Sequence, residues 1–350
     1  MANLTRTAYI TREAVKYTTL SVVVLLILRS GLGMFRAYWR SRHPLPPPAP
    51  DVAFGQLPAL EFSKIKPKPK KEFVLQTISG TLPKFPSQLK VYFVVAQKSR
   101  FLALEKTNEV AKNLGFSSPP EKVSDDLYRY HNKTINITLT INPLTKTFLY
   151  TYPYLNDQTL ITLPLPSQER IMTDSLKFLN KTGQRQPDLT FNSAEIKFWR
   201  IENKQLKSAP SLSEAHLAQI NFFRDPIENQ YPIYPQDLDQ ANVSLILSGD
   251  TGQRQIVEGR YTYFFVDLEK SATYPLKPIT QAWEEVQGGQ YHLAKVNKTI
   301  DSQTITIHEI YLAYFDPHYP TNFLQPIYVF EGDHNFFAFV PAISIEWVAE

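Results

Sequence analysis

The stretch TITIHEIYLAYF, residues 304–315, alternates polar and apolar side chains in its first half and becomes apolar in its second. A period of two predicts a β-strand. Two further apolar stretches follow, QPIYVFEG (325–332) and NFFAFVPAISIEW (335–347), and residues 331–334 (EGDH) turn the chain between them. The three stretches predict three long antiparallel strands.

A helix is predicted before these strands, and the same order recurs earlier in the chain. PITQAWEEVQGG (278–289) has apolar residues at helical spacing and ends in two glycines. Similar patterns predict helices at 99–116 and from Ser167, its N-cap, to Gly183. Further strands are predicted at 91–97, 126–132, 134–141, 145–154, 194–201, 218–224, 242–249 and 256–268. Helices on one face of mostly antiparallel sheets make an α+β fold.

The length of the folded part predicts more than one lobe. Residues 72–350 are long for a single hydrophobic core. We predict a first α+β lobe over 72–166 and a second over 167–350.

Residues 272–345 resemble the YycH/YycI and PepSY-type extracytoplasmic modules. In those modules a short helix leads into strands marked by tyrosine, proline and glycine. The matching positions here are Ala282, Trp283, Val286, Gly288, Tyr311, Tyr314, Pro326, Tyr328, Phe330 and Gly332. The resemblance implies an extracytoplasmic α+β domain behind an N-terminal membrane helix. It also implies an accessory or regulatory protein that contacts, for example, a sensor kinase or a protease.

An apolar stretch near the N-terminus predicts a transmembrane helix. TTLSVVVLLILRSGLGMF covers 18–35, and residues 17–35 approach the roughly 20 residues that a helix needs to cross a bilayer. Arg29 lies near enough to one end for its guanidinium to reach the headgroups. A buried helix and a cleaved signal peptide are the alternatives, but no small-x-small cleavage pattern follows. We predict a short basic tail (1–16) before the helix and a basic proline-rich stalk (36–71) after it.

The charged residues are distributed unevenly along the chain, and their distribution bears on the partners and the location of the protein. Residues 1–71 carry twelve basic and three acidic side chains, which leaves 25 basic and 30 acidic ones in 72–350. The acidic folded part argues against nucleic acid as a partner, whereas basic residues beside a helix suit membrane lipid. Basic residues flank the helix equally on both sides. The layout of tail, helix, stalk and large cysteine-free domain favours a single-pass protein of the cell membrane with its large C-terminal domain outside the cytoplasm.

Few residues suggest chemistry. His308 and Glu309, with Asp316 and His318 after them, come nearest to a metal site, but adjacent residues of a regular strand point to opposite faces. The stretch GDTGQRQ (249–255) lacks the Gly-Lys-Ser/Thr of a phosphate-binding loop and predicts a hairpin loop. We therefore predict no catalytic, metal-binding or cofactor-binding residues, no small-molecule cofactor and no enzymatic activity.

These features favour a non-catalytic accessory or regulatory protein that binds another membrane or envelope protein. Two alternatives stay open. The 22 Phe, 19 Tyr and 4 Trp residues could supply aromatic side chains to an envelope polysaccharide-binding module. A pair of carboxylates brought together by folding could make an unrecognised cell-surface hydrolase.

Overall fold

Two large sheets and four α-helices make up the part of the chain that the computed structural model describes, residues 4–42, 48–62, 72–95, 102–296 and 304–349. The helices are α1 (Leu4–Arg42), α2 (Ala103–Asn113), α3 (Gln168–Lys181) and α4 (Ile279–Gln287). The strands are β1 (Glu72–Leu75), β2 (Gln88–Val94), β3 (Glu121–Ser124), β4 (Leu127–Asn132), β5 (Ile137–Ile141), β6 (Phe148–Thr151), β7 (Ala194–Glu202), β8 (Gln205–Ser208), β9 (Leu217–Phe222), β10 (Ile233–Tyr234), β11 (Val243–Ser248), β12 (Ile256–Tyr261), β13 (Val266–Pro275), β14 (His292–Lys295), β15 (Thr304–Phe315), β16 (Phe323–Gly332) and β17 (Phe336–Pro341).

The strands form one nine-stranded and one eight-stranded sheet. The nine-stranded sheet has the order β3-β4-β5-β6-β12-β11-β9-β7-β8 and is antiparallel throughout. The eight-stranded sheet has the order β1-β15-β16-β17-β14, with β2, β10 and β13 attached. Only β1 and β10 run parallel to their neighbour β15 among these described strands. The predicted α+β fold with mostly antiparallel sheets is confirmed.

Helices α2 and α3 cover one face of the nine-stranded sheet through their apolar sides. Ala111 of α2 and Ile171 of α3 are almost fully buried in the same cluster as the strand residues. As predicted, the Ser167 hydroxyl caps α3 by accepting a hydrogen bond from the Arg170 N–H at 3.3 Å. Gly183 then ends the helix with a φ of 67°, a conformation that glycine adopts without steric penalty.

Helix α4 packs on the eight-stranded sheet in the same way. Ala282 and Val286 have no exposed surface, and Trp283 stacks on Phe330 of β16 with ring centroids 6.0 Å apart. Gly332 ends β16 so close to β15 that an added Cβ would lie 2.4 Å from the Thr306 carbonyl oxygen. The positions that carry the family resemblance therefore include several that pack the core.

The predicted strand 256–268 is two strands that belong to different sheets. β12 ends at Tyr261 in the nine-stranded sheet, and β13 begins at Val266 in the eight-stranded sheet. Tyr263 and Phe264, which lie between them, are buried. An unbroken apolar pattern predicts burial along a strand but contains no signal for a change of sheet.

The sheets do not divide the chain at residue 166. β6 lies before that position and β12 after it, yet they pair directly, with Phe148 opposite Tyr261. The predicted boundary follows from the local order of helices and strands, and that order contains no information on pairing between distant segments. Pro50–Glu350 forms one compact unit.

Part of the predicted stalk 36–71 is folded. Residues up to Arg42 belong to α1, and 43–47 and 63–71 lie outside the described residues. Between them, Leu57 is fully buried and its N–H donates to the Trp347 carbonyl at 2.8 Å. Phe62 stacks on His292 of β14 with centroids 5.1 Å apart. The spaced aromatic and aliphatic residues of this stretch bury apolar surface, which outweighs the extended preference of its prolines.

Helix α1, a separate unit, contains the predicted transmembrane segment 17–35. Its part from Ala8 to Trp39 is long and apolar enough to cross a membrane, and none of its most apolar stretch is buried by protein. The Thr18 and Thr19 hydroxyls donate to carbonyls one turn earlier, both at 2.8 Å. Their polar groups are thereby satisfied within the helix, as an apolar environment requires. The helix supports a single-pass membrane protein, and a signal sequence would meet the same criteria.

Candidate functional site

A buried ion cluster joins the two sheets. Arg224, which follows β9, donates to Asp188 Oδ2 at 2.8 Å and to the Phe264 carbonyl at 3.2 Å, and its guanidinium lies 3.6 Å from Asp316 Oδ2. The same guanidinium lies over the Tyr263 ring, 4.4 Å from its centroid. Asp316 follows β15, so the cluster connects the end of a strand in each sheet.

The charges in this cluster depend on each other. Burial by itself would lower the pKa of Arg224, but the neighbouring Asp316, Tyr263 and Asp188 raise it above the ordinary arginine value. Burial raises the pKa of the Asp316 carboxyl, and Arg224 opposes that rise. The Tyr263 hydroxyl donates to Asp188 Oδ1 at 2.8 Å. Every polar side chain of the cluster has a protein partner, so it fastens the sheets and presents no free group to a substrate.

An open cleft of about 490 Å³ lies beside the ion cluster, between β11–β12 and β14. We call it the inter-sheet cleft; its polar lining includes Gln236, Asp237, Asp239, Arg260, Lys295 and His318. The Asp239 carboxylate lies 3.3 Å from Lys295 Nζ and 3.8 Å from Lys197 Nζ. The Arg260 guanidinium donates to Gln240 Oε1 at 3.0 Å. The Asp239, Lys197 and Lys295 charges are paired and Arg260 is hydrogen-bonded to a neutral amide, which suits recognition of a polar surface better than acid–base chemistry.

Apart from His318, the residues of the inter-sheet cleft were not predicted from the sequence. They come from the loop 236–242 and from strand edges, and no spacing pattern links them. Gln236 Oε1 is buried there with no donor among the described residues. Only the turn-rich composition of the loop marked it as irregular.

The candidate metal residues His308 and Glu309 lie at an irregularity of β15. A bulge between Ile307 and Glu309 interrupts the pairing of β15 with β16, and both His308 and Glu309 are exposed. The regular alternation on which the expectation of opposite faces depends is therefore interrupted at these two residues. His308 Nε2 and Asp333 Oδ1 form a hydrogen bond of 2.6 Å, which lowers the pKa of that carboxyl.

The remaining two candidates lie elsewhere. Asp316 is buried beside Arg224, and His318 is exposed at the inter-sheet cleft. Among the described residues, no three His, Asp or Glu side chains are grouped so that they could hold a metal ion. The structure thus separates the four residues into a surface pair, a structural ion and a cleft residue.

The loop 249–255 is a hairpin loop, as predicted, and connects the antiparallel strands β11 and β12. Asp250 Oδ2 accepts a hydrogen bond from the Arg254 N–H at 3.1 Å, and Ser248 donates to the Arg254 carbonyl at 2.6 Å. A Cβ on Gly249 would lie 2.5 Å from the Pro164 carbonyl oxygen. Glycine is needed here for a close backbone contact.

A partly exposed aromatic patch lies on the outer face of β2 and β13. We call it the Phe265 patch and define it by Phe54, Phe93, Phe265, Leu268 and Phe323. Phe265 lies beside β2, since its carbonyl accepts a hydrogen bond from the Val95 N–H at 2.8 Å, and Leu268 follows Asp267, which is paired with Phe93. Phe265 is 50% and Leu268 58% exposed. The rings of Phe54, Phe93 and Phe323 contact one another, with centroids 5.0–6.4 Å apart. Leu268 protrudes because β13 bulges between Asp267 and Ser271.

Charged residues border the Phe265 patch. Lys270 Nζ lies 5.9 Å from the centroid of the Phe93 ring and 3.5 Å from Asp267 Oδ2. An apolar centre with a charged rim is the usual composition of a protein-binding surface. Phe93 and Phe265 fall in predicted strands, Phe54 falls in the predicted stalk, and Phe323 lies between two predicted strands. The sequence pattern does not show which of these aromatic side chains face outward.

Comparison with solved structures finds distant similarity. Neither a protein-family model nor a curated protein matches the chain. The crystal structure of an uncharacterized protein from Eubacterium rectale ATCC 33656 is similar over 74% of this chain and 84% of that one, with 12% identity and a TM-score of 0.41.

Proposed function

We propose that this chain is a membrane-anchored accessory protein that acts outside the cytoplasm, without catalysis, by binding another membrane or envelope protein. The apolar part of α1 supports the anchor. The resemblance of residues 272–345 to YycH/YycI and PepSY-type modules motivates the regulatory role. The paired charges of the inter-sheet cleft and of the Arg224 cluster favour binding over chemistry.

The Phe265 patch is the observation that carries this proposal. Half-exposed aromatic and aliphatic side chains with a charged border are common where proteins bind each other, and aromatic residues supply much of the energy there.

Site-specific photo-crosslinking in intact membranes tests the proposal. A photoreactive residue at Leu268 should give one discrete protein adduct, and the same adduct should form from position 265. A photoreactive residue at Val123, 41% exposed on edge strand β3 of the other sheet, is the matched control and should give none. The Leu268 adduct should disappear in a Phe265→Glu background and persist in a Val123→Glu background.

Other outcomes would contradict this function. Adducts with lipid alone would make the patch a membrane-contacting surface, and adducts with a second copy of this chain would make it a self-association surface. Retention of the full-length protein on insoluble cell wall, lost in Phe265→Glu, would favour the polysaccharide-binding alternative. Release of soluble products from cell wall by the purified protein would favour the hydrolase.

A further inference from the structure

A second cavity shares no lining residue with the Phe265 patch. It has a volume of about 410 Å³ and lies between one side of α2, the end of α3 and the β5–β6 hairpin. Its apolar wall includes Val110, Ile141 and Leu144. We call it the lysine cavity, because Lys106, Lys146 and Lys181 also line it.

The three lysines come from three different elements and are free of carboxylate partners. Lys106 is on α2, Lys181 is the last residue of α3, and Lys146 is in the hairpin. None of them forms an ion pair with a described residue. Glu109 is the one acidic residue among the described lining. By contrast Lys177, one turn before Lys181, lies 3.1 Å from the Asp174 carboxylate. The cavity therefore concentrates uncompensated positive charge.

The hairpin holds Lys146 in a defined position. Asn142 Oδ1 accepts hydrogen bonds from the Leu144 and Thr145 N–H groups at 2.9 and 3.1 Å, and the Asn142 carbonyl accepts one from the Lys146 N–H at 2.8 Å. These bonds fix the turn. Lys146 is consequently half-buried, whereas Lys106 and Lys181 are exposed.

Gln184 gives an independent indication of a ligand. Its side chain is only 6% exposed and lines the cavity, yet its amide makes no hydrogen bond with any described residue. The two other buried polar residues of the wall are satisfied, since the Thr107 and Thr182 hydroxyls donate to the Ala103 and Leu179 carbonyls. The polar atoms of Gln184 are not fully enclosed by protein, so water or a ligand in the cavity can reach them. The Gln184 amide can donate to an anion held by the lysines.

The backbone around the cavity is compatible with an anion. Helix α2 begins there, and no described side chain caps its N-terminus, where backbone N–H groups carry partial positive charge. The C-terminal end of α3 carries partial negative charge, which would repel an anion. Two of its carbonyls, however, already accept backbone hydrogen bonds. The Gly183 N–H donates to the Asn180 carbonyl, and the Gln184 N–H donates to the Leu179 carbonyl, both at 2.9 Å.

We propose that the lysine cavity binds the phosphate group of a small ligand that also has an apolar part. Ammonium groups act as compact point charges and suit a tetrahedral phosphate, whereas planar carboxylates are better matched by arginine, which is absent from the described lining. The apolar wall would cover the rest of the ligand. A volume of about 410 Å³ falls in the range of small-molecule sites.

Calorimetric titration of the full-length protein in non-ionic detergent at low ionic strength tests the proposal. Phenyl phosphate is the main probe, with inorganic phosphate, benzoate and benzyl alcohol for comparison. Phenyl phosphate should bind most tightly, because it combines a phosphate with a ring. Inorganic phosphate should bind more weakly. Benzoate replaces the phosphate with a carboxylate, and benzyl alcohol has the ring without a charge. Both should bind weakly or not at all.

Variants then connect the binding to the cavity. The double substitution Lys146→Met and Lys181→Met keeps the unbranched side chains and should weaken phenyl phosphate binding about tenfold or more. Gln184→Leu should weaken it about two- to tenfold without any change in charge. Lys133→Met, on an exposed turn outside the cavity, is the matched control and should leave binding unchanged.

Several results would overturn the assignment. The first is that phenyl phosphate shows no saturable binding to the wild type. The second is that benzoate binds as tightly as phenyl phosphate, and the third is that the double variant binds phenyl phosphate within twofold of the wild type. A Lys133→Met effect as large as that of the cavity variants would show a response to net charge alone. Unchanged thermal unfolding of each variant excludes misfolding as the cause of a loss. Because these experiments do not involve the Phe265 patch, they succeed or fail independently of the crosslinking.

Discussion

Replacing Arg224 with methionine should destabilise the folded part of the protein by about 3–5 kcal/mol, because it leaves one partner of a buried ion cluster without the other. The guanidinium donates hydrogen bonds to Asp188, the Phe264 carbonyl and the Tyr263 hydroxyl, and its positive charge compensates the fully buried Asp316. Lost hydrogen bonds and the stranded Asp316 charge contribute together. Urea unfolding of the full-length protein in mild detergent, followed by tryptophan fluorescence, measures the change in free energy of unfolding.

Two further measurements isolate the effect of the Asp316 charge that Arg224→Met leaves without a partner. Adding Asp316→Asn to the Arg224→Met protein should recover part of the lost stability. Burial raises the pKa of Asp316, so in Arg224→Met its protonation stabilises the folded state, and the deficit should shrink as the pH falls. Lys90→Met, which breaks the exposed pair with Glu228, should cost less than about 1 kcal/mol. A loss of less than about 1 kcal/mol in Arg224→Met, or no recovery in the double variant, would refute this account of the cluster.

Three more predictions concern other parts of the structure. Gly332→Ala should lower the thermal unfolding temperature by an amount equivalent to about 1–3 kcal/mol, because its Cβ would meet the Thr306 carbonyl oxygen. Gly252→Ala should change it little, because its Cβ would make only ordinary van der Waals contact with the Asp250 carboxylate. Leu57→Ala should destabilise by about 2–5 kcal/mol in urea unfolding, and a neutral result would mean that this segment is not packed in solution. Although burial opposes the charge of Asp157, hydrogen bonds from Tyr152, Thr159 and Arg254 lower its pKa to about 2. The difference in stability between the wild type and Asp157→Asn should therefore be full above about pH 4 and should vanish as the pH falls toward 2. A difference that stays constant with pH would contradict this account.

Local signals in the sequence predicted the helices and the long strands well. Strand 304–315 was predicted residue for residue, and the helix from Ser167 to Gly183 was fixed by its cap and its terminal glycine. These features depend on neighbours within a few residues, which is the range over which apolar periodicity and capping act. Short strands such as β10 and β14 were missed because two to four residues do not establish a period.

The pairing of distant segments and the candidate sites could not be predicted in the same way. β2 pairs with β13 across more than 170 residues, and no local pattern encodes that choice. The Phe265 patch depends on which face of β13 is covered, and the lysine cavity depends on how α2 and α3 approach the β5–β6 hairpin. The bulge at His308 likewise interrupts a strand that the sequence pattern predicts to be regular.

The order of strands has a consequence for biosynthesis. The nine-stranded sheet is an insertion: its last strand ends at Tyr261, so it can close while the C-terminal region is still being made. β1 and β2 are synthesised before this sheet, but they pair only with β13, β15 and β16. Leu57 likewise pairs with Val348, which is synthesised almost last. Contacts so distant in sequence form slowly. Loss of the last few residues would therefore loosen the segment that follows α1, at the opposite end of the polypeptide.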